Sequence, residues 1–195
     1  MSHHIYHTRG IILGSTPSGE SNRVYKIFTE ELGLLFGVAQ AVREGKSKLR
    51  YTLQDYSFVN VDLVKGKEVW RIISAGFDRS LEIIKNDPTK IKMLARFYAF
   101  LLRMLQGQWR DQELFDETIR VADFLEKWEI RRELTLSFEV LVALRVLVHL
   151  GYMDGEKYER FLGTDAYSEG VLQEIEKIRP SILPKINEAI NSSHL

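Results

Sequence analysis

No cysteine occurs among the 195 residues of this chain. Disulfides and thiolate zinc sites are therefore excluded, and the composition fits a reducing compartment. Net charge is lacking too, because 27 Lys and Arg balance 27 Asp and Glu. No global field draws in a polyanion, so any affinity for one must come from local asymmetry. Long apolar runs are missing. The most apolar stretch, 134–150, is interrupted by Glu139, Arg145 and His149, and is too short and too charged to span a bilayer. The first residues, Met1 to His7, carry neither the basic nor the apolar segment of a secretory leader, so a cytoplasmic location is expected.

Recognisable site chemistry is also absent. There is no G-x-x-x-x-G-K-S/T phosphate loop, no dinucleotide fingerprint and no G-x-S-x-G elbow. Glu30-Glu31 and Asp116-Glu117 are adjacent pairs, which cannot face one site from one strand or helix, and they read as solvated surface charge. His3, His4 and His7 lie near a chain end with no acid beside them in sequence, so no metal site is expected. His149, on an apolar helix, reads as a hydrogen-bonded core or boundary histidine. The expectation is a protein that is not an enzyme and uses no cofactor.

What is present divides into two halves. Residues 1–79 carry 11 Lys and Arg against 8 Asp and Glu, while residues 80–195 carry 16 against 19. The first half has strand composition at 5–15, 23–29, 34–42, 51–64 and 68–75, with turn signals at Thr16-Pro17-Ser18-Gly19, Gly33 and Lys65-Gly66-Lys67. Five strands in that length suggest a small closed barrel of the OB type. The period then lengthens. Asp87-Pro88 is a helix start, with Asp87 as the cap and Pro88 as the first helical residue. Helical spacing follows over 89–106, 112–128 and 132–150, with Gly151 as a terminator. Shorter helices are expected at 155–162, 168–178 and 183–191. The fold class is thus α+β, with a barrel at 1–79 and an all-α domain at 80–195.

The densest charge lies in Arg43-Glu44-Gly45-Lys46-Ser47-Lys48-Leu49-Arg50, four cations and one acid between two apolar runs. Two readings fit it. The four cations neutralise phosphates while nearby aromatics stack on bases, with Tyr51, Tyr56 and Trp70 as candidates and Phe36 and Phe58 also in range. Alternatively the loop is a solvated connection and the aromatics fill the barrel. A second candidate lies at 126–133, where Arg131 and Arg132 near Trp128 could receive an acidic, aromatic-ended peptide, or could simply form surface ion pairs.

A wider set of residues resembles a known family. Gly10-Ile11-Ile12-Leu13, Gly19-Glu20-Ser21-Asn22-Arg23-Val24, Phe28-Thr29, Gly33, Val38-Ala39, Arg43, Ser47-Lys48 and Leu53-Gln54 are similar to the N-terminal barrel of bacterial RecO recombination mediators. Phe138-Glu139-Val140-Leu141 and Leu150-Gly151-Tyr152 resemble that family's central helix and its end. The resemblance implies binding to single- and double-stranded DNA and annealing of complementary strands. It also implies contact with the acidic C-terminal tail of single-strand DNA-binding protein and work with RecR to load RecA at gaps, in the cytoplasm on the nucleoid. It places Arg23, Arg43 and Lys48 at basic positions of the family, with Lys46 and Arg50 in the same loop. Two residues depart from the pattern: Gln40 stands where a basic residue is usual, and Ala41 where glycine is usual. Many members carry a cysteine zinc module after the Leu-Gly-Tyr segment. Here ordinary packing through Tyr158, Phe161 and Tyr167 must hold that region.

Overall fold

The structure is a computed structural model describing residues 4–67, 69–79, 81–129, 131–163 and 167–193. His3, and Glu68 as the expected first residue of the last strand, lie outside the described residues. By contacts the chain forms two compact units. One comprises Met1–Glu82 with Leu105–Phe115, and the other Ile83–Met104 with Asp116–Leu195.

The first unit is a closed barrel. Its strands are β1 (Ile5–Ser18), β2 (Asn22–Thr29), β3 (Gly33–Ala39), β4 (Phe58–Lys65) and β5 (Trp70–Arg79), in the order β1-β2-β3-β5-β4. All pairings are antiparallel except β3 with β5, the OB-type arrangement. Alternation decides which face turns inward. Ile12, Tyr25, Ile27, Leu35, Val59, Val61, Leu63 and Ile72 fill the interior. On β3 the inward set is Leu35, Gly37 and Ala39, and Phe36 is left half-exposed outside. The crowding accounts for Gly37, because a Cβ there would lie 2.9 Å from the Ile72 side chain.

Sequence composition extends β4 back to Tyr51, and here the structure differs. Leu49–Thr52 forms one helical turn, α1, followed by a tight turn. The turn is docked edge-on to β1, with Tyr56 N–H donating to the Ile12 carbonyl at 2.8 Å and Ile12 N–H to the Ser57 carbonyl at 3.0 Å. This docking sits at the β1 irregularity between Ile12 and Gly14. Tyr56 adopts φ +69, which a regular strand would not permit.

Residues 105–115 explain why the outer face of the barrel is apolar at Phe28. The Phe28 and Phe115 rings meet edge to face at 5.5 Å, and Gln112 donates to Glu30 at 3.0 Å. Glu30 and Glu31 are therefore engaged, Glu31 with Arg110 at 3.3 Å. Gly33 makes the close approach possible. It sits at φ +67, and a Cβ there would lie 2.2 Å from the Trp109 carbonyl oxygen. Gly33→Ala is expected to lower stability by about 2–4 kcal/mol, through backbone strain and steric clash together. A urea midpoint equal to wild type would contradict this packing.

The second unit is helical: α2 (Glu82–Lys85, which straddles the division), α3 (Pro88–Met104), α4 (Gln112–Lys127, whose first turn belongs to the barrel unit), α5 (Thr135–His149) and α6 (Glu169–Ser192). Caps define the ends. The Asp87 carboxylate accepts from Thr89 and Lys90 N–H, Asp111 from Leu114 N–H, and the Ser168 hydroxyl from Val171 N–H. Gly151 at φ +77 closes α5, with Tyr152 N–H reaching the Leu147 carbonyl at 2.8 Å.

The two short helices expected at 168–178 and 183–191 are one. α6 runs 24 residues through Pro180 and Pro184. Each proline removes a backbone donor, which costs roughly 3 kcal/mol in a helix interior. The buried stripe Leu172, Ile175, Ile182, Ile186 and Ala189, packed with α5, outweighs that cost. His149 lies exposed on the last turn of α5, not in the core.

Candidate nucleic-acid interface

The basic segment after β3 is a loop and a helical turn, not a free excursion. Arg43 N–H donates to the Ser21 carbonyl at 3.0 Å, Ala41 N–H to Asn22 Oδ1 at 2.9 Å, and Arg43 Nη1 to the Gly19 carbonyl at 3.2 Å. The Gly19–Arg23 and Val38–Arg43 motifs, apart in sequence, are thus two halves of one support. Ala41 occupies the left-handed region at φ +51. Glycine takes that conformation without strain, which gives the departure at this position a physical meaning.

The support shapes a cleft of about 530 Å³ at one end of the barrel. Its wall carries Arg23, Arg43 and Arg50, and Ser15 and Asp55 face them. Tyr25, Val42 and Leu53, all buried, form the floor. Asp55 accepts from the Ser15 hydroxyl at 2.7 Å. Among the described residues no acid pairs with any of the three arginines, and the Nε of Arg23 is buried without a hydrogen-bond partner. Burial raises the Tyr25 phenol, Arg23 opposes that rise and Asp55 adds to it. The site is therefore electropositive around a neutral aromatic floor.

The predicted residues separate into three groups. Arg23, Arg43 and Arg50 come together on the cleft wall. Lys46 and Lys48 are exposed on the adjoining loop and outside the cleft lining. Of the aromatic candidates, Tyr51 projects from α1 at 62% exposed, and Tyr56 is half-buried. Trp70 is corrected: it is 5% exposed in the barrel core, edge-on to Tyr6 at 5.1 Å, and offers no face to a base. Phe58 is likewise core. Sequence reasoning missed Tyr25, Ser15 and Asp55 as members of the site. Strand parity marks Tyr25 as inward, but nothing local shows that its ring floors a charged cleft.

In the helical unit, Arg131 pairs with Glu169 at 2.8 Å, whereas Arg132 is exposed in a short turn before α5. The nearby Trp128 is buried, its ring 5.1 Å from Phe124. A groove of about 180 Å³ lies instead between α3 and α5, lined by Met93, Phe97, Phe100, Phe138 and Val142. Arg96 and Glu139 form its rim, paired at 2.6 Å.

Asp116-Glu117 is not a solvated pair. Glu117 is buried and receives Arg145 through Nε at 2.5 Å and Nη2 at 2.8 Å. Arg145 also donates to the carbonyls of Phe161 and Gly163 at 2.7 and 2.9 Å, and the Tyr167 hydroxyl donates to Glu117 at 2.5 Å. Burial alone would push the Glu117 carboxyl up, but these bonds and the Arg145 charge hold it below the ordinary carboxylate range. Burial beside Glu117 pushes the Tyr167 phenol well up. The segment after Tyr152 is thus held by a buried ion pair as well as by Phe161 and Tyr167. Near the chain start, β pairing brings Asp62 to His7 at 2.6 Å. No group of three His, Asp or Glu able to hold a metal occurs among the described residues. No helix among them is long and apolar enough to cross a membrane.

Residues 1–77 match the family model described as Recombination protein O N terminal. The DNA repair protein RecO of Rubrobacter xylanophilus is 30% identical over 125 residues, covering 64% of this chain and 50% of that protein. The DNA repair protein RecO of Clostridium novyi is 28% identical over 155 residues, covering 78% and 59%. The DNA repair protein RecO of Dehalococcoides mccartyi is 39% identical over 66 residues, covering 34% and 26%. The chain spans about half the length of the first two of these relatives.

Proposed function

We propose that this chain, which belongs to the RecO family, acts in DNA repair and recombination by binding single-stranded DNA at the mouth of its barrel. The observation that carries this reading is the set of acid-free arginines, Arg23, Arg43 and Arg50, on one cleft, flanked by Lys46 and Lys48. Phosphates supply the acceptors these guanidiniums lack, and Arg matches their geometry through paired N–H donors. Tyr51, exposed beside Arg50, offers a ring on which an unpaired base can stack. A basic surface also screens the repulsion between two strands, so complementary strands pair faster on it. Annealing follows from that screening without bond chemistry, and help in loading a recombinase at gaps is part of the same proposal. The proposed setting is the cytoplasm, with duplex DNA, RecR and, indirectly, RecA as further partners.

For single strands the logarithm of affinity falls with the logarithm of salt at about 0.7 per neutralised phosphate. Four loop cations therefore give a slope of about −3. Titration of a labelled oligonucleotide over a range of salt measures it, and a salt-independent affinity would exclude the reading.

A second reading has its own observation. The groove between α3 and α5 is aromatic, with a cation at its rim, and suits an acidic peptide ending in an aromatic residue. Its rim cation Arg96 is paired with Glu139 as Arg131 is with Glu169, so the aromatic lining of the groove carries the fit. On this adaptor reading the helical unit docks the tail of single-strand DNA-binding protein. Tail binding that survives when the barrel-loop cations are removed supports it.

A further inference from the structure

We infer that the barrel-mouth cleft is a receptor for a phosphate monoester at the end of a DNA strand. The inference rests on the DNA-binding reading above and specifies what that site takes. Among the described residues, no acid pairs with the three arginines that line the cleft, and the Nε of Arg23 is a buried donor without a hydrogen-bond partner. Among the described residues Asp55 is the sole acid on the wall, and it is already engaged by the Ser15 hydroxyl. Three guanidiniums and one carboxylate leave two net positive charges.

A phosphate inside a strand is a poor match for that set. It carries one negative charge and presents two non-bridging oxygens. A terminal phosphate carries a charge of roughly −1.5 to −2 near neutrality and presents three acceptor oxygens. Charge and acceptor number both fit the monoester. Shape agrees. The cleft has a closed floor of Tyr25, Val42 and Leu53, and its volume, about 530 Å³, is in the range of small-ligand sites. Lys46 and Lys48, outside the recess, remain for the phosphates that follow. The same monoester chemistry occurs in a free nucleotide, and the experiment separates the two.

The test uses an internally labelled single strand with a 5′-phosphate, a 3′-phosphate or hydroxyls at both ends, followed by anisotropy. A phosphorylated end is expected to bind about tenfold tighter, the effect of one set of charge-assisted hydrogen bonds. In Arg50→Gln the phosphorylated and hydroxyl-ended strands bind alike. In Lys46→Gln all three weaken and the tenfold ratio stays. Equal wild-type affinity for all three strands overturns the inference while leaving the DNA-binding reading intact. Competition by deoxyadenosine monophosphate, with no gain from phosphorylating the strand, also overturns it and assigns the recess to a nucleotide. Failure to bind any of the strands removes the DNA-binding reading itself, and this inference with it.

Discussion

Replacing Arg145 by Met is expected to destabilise the helical unit by about 3 kcal/mol, because it leaves the buried carboxylate of Glu117 with the partly exposed Arg120, at 2.8 Å, as its remaining cationic partner. The side chains are 6% and 8% exposed, so water cannot compensate. The loss has a second part, since the Phe161 and Gly163 carbonyls lose the donor that holds their segment. Changing both partners, Glu117→Leu with Arg145→Met, should recover much of the loss, because no charge then remains buried. Recovery should be incomplete, since the two carbonyls and the Tyr167 hydroxyl stay unpaired. Denaturant unfolding of the two variants measures both effects.

The same pair sets a pH dependence. Glu117 is held below its unfolded value of about 4.5, so its contribution is fully present above that value. It is lost as pH falls through the folded value. Tyr167 is raised above its unfolded value of about 10, so its contribution is present below pH 10 and fades as pH rises beyond it. Glu117→Gln should flatten the acid limb and leave less stability at neutral pH. An unchanged acid limb would contradict the folded-state ionisation of this group.

The second large effect concerns the basic loop. Changing Arg43, Lys46, Lys48 and Arg50 together to Ala is expected to weaken single-strand binding by about a thousandfold at 0.1 M salt. That figure is the counterion-release cost of four phosphate contacts. The difference should shrink as salt approaches 1 M, because little counterion entropy is then left to gain. Arg43 also donates to the Gly19 carbonyl, so its removal loosens the loop slightly. The anchors through Arg43 N–H and Ala41 N–H are main-chain donors and survive the substitution.

Much of this was legible in the residues. Alternation in β4 and the turn signals located the barrel. Asp87-Pro88 and Gly151 marked helix ends that the structure places at the same residues. The illegible parts share one cause: long-range contacts overrode local preference. Tyr51 and Tyr56 have strand-like side chains, yet the turn at 54–57 docks on β1. Pro180 and Pro184 signal breaks, yet burial against α5 carries the helix through both. Glu117 looked solvated because its buried partner is 28 positions away, and Arg145 looked like a mere interruption of an apolar run. Arg23, Arg43 and Arg50 were identified one by one. That they share a cleft with Tyr25 and Asp55 depends on barrel closure, which no local pattern encodes.

The most direct test of the central claim is the rate at which two complementary oligonucleotides pair in the presence of the protein. Wild type should accelerate pairing over the spontaneous rate at low salt. The variant lacking the cations of Arg43, Lys46, Lys48 and Arg50 should leave the spontaneous rate unchanged while remaining folded. Equal acceleration by the two proteins would contradict the assignment of this surface to DNA.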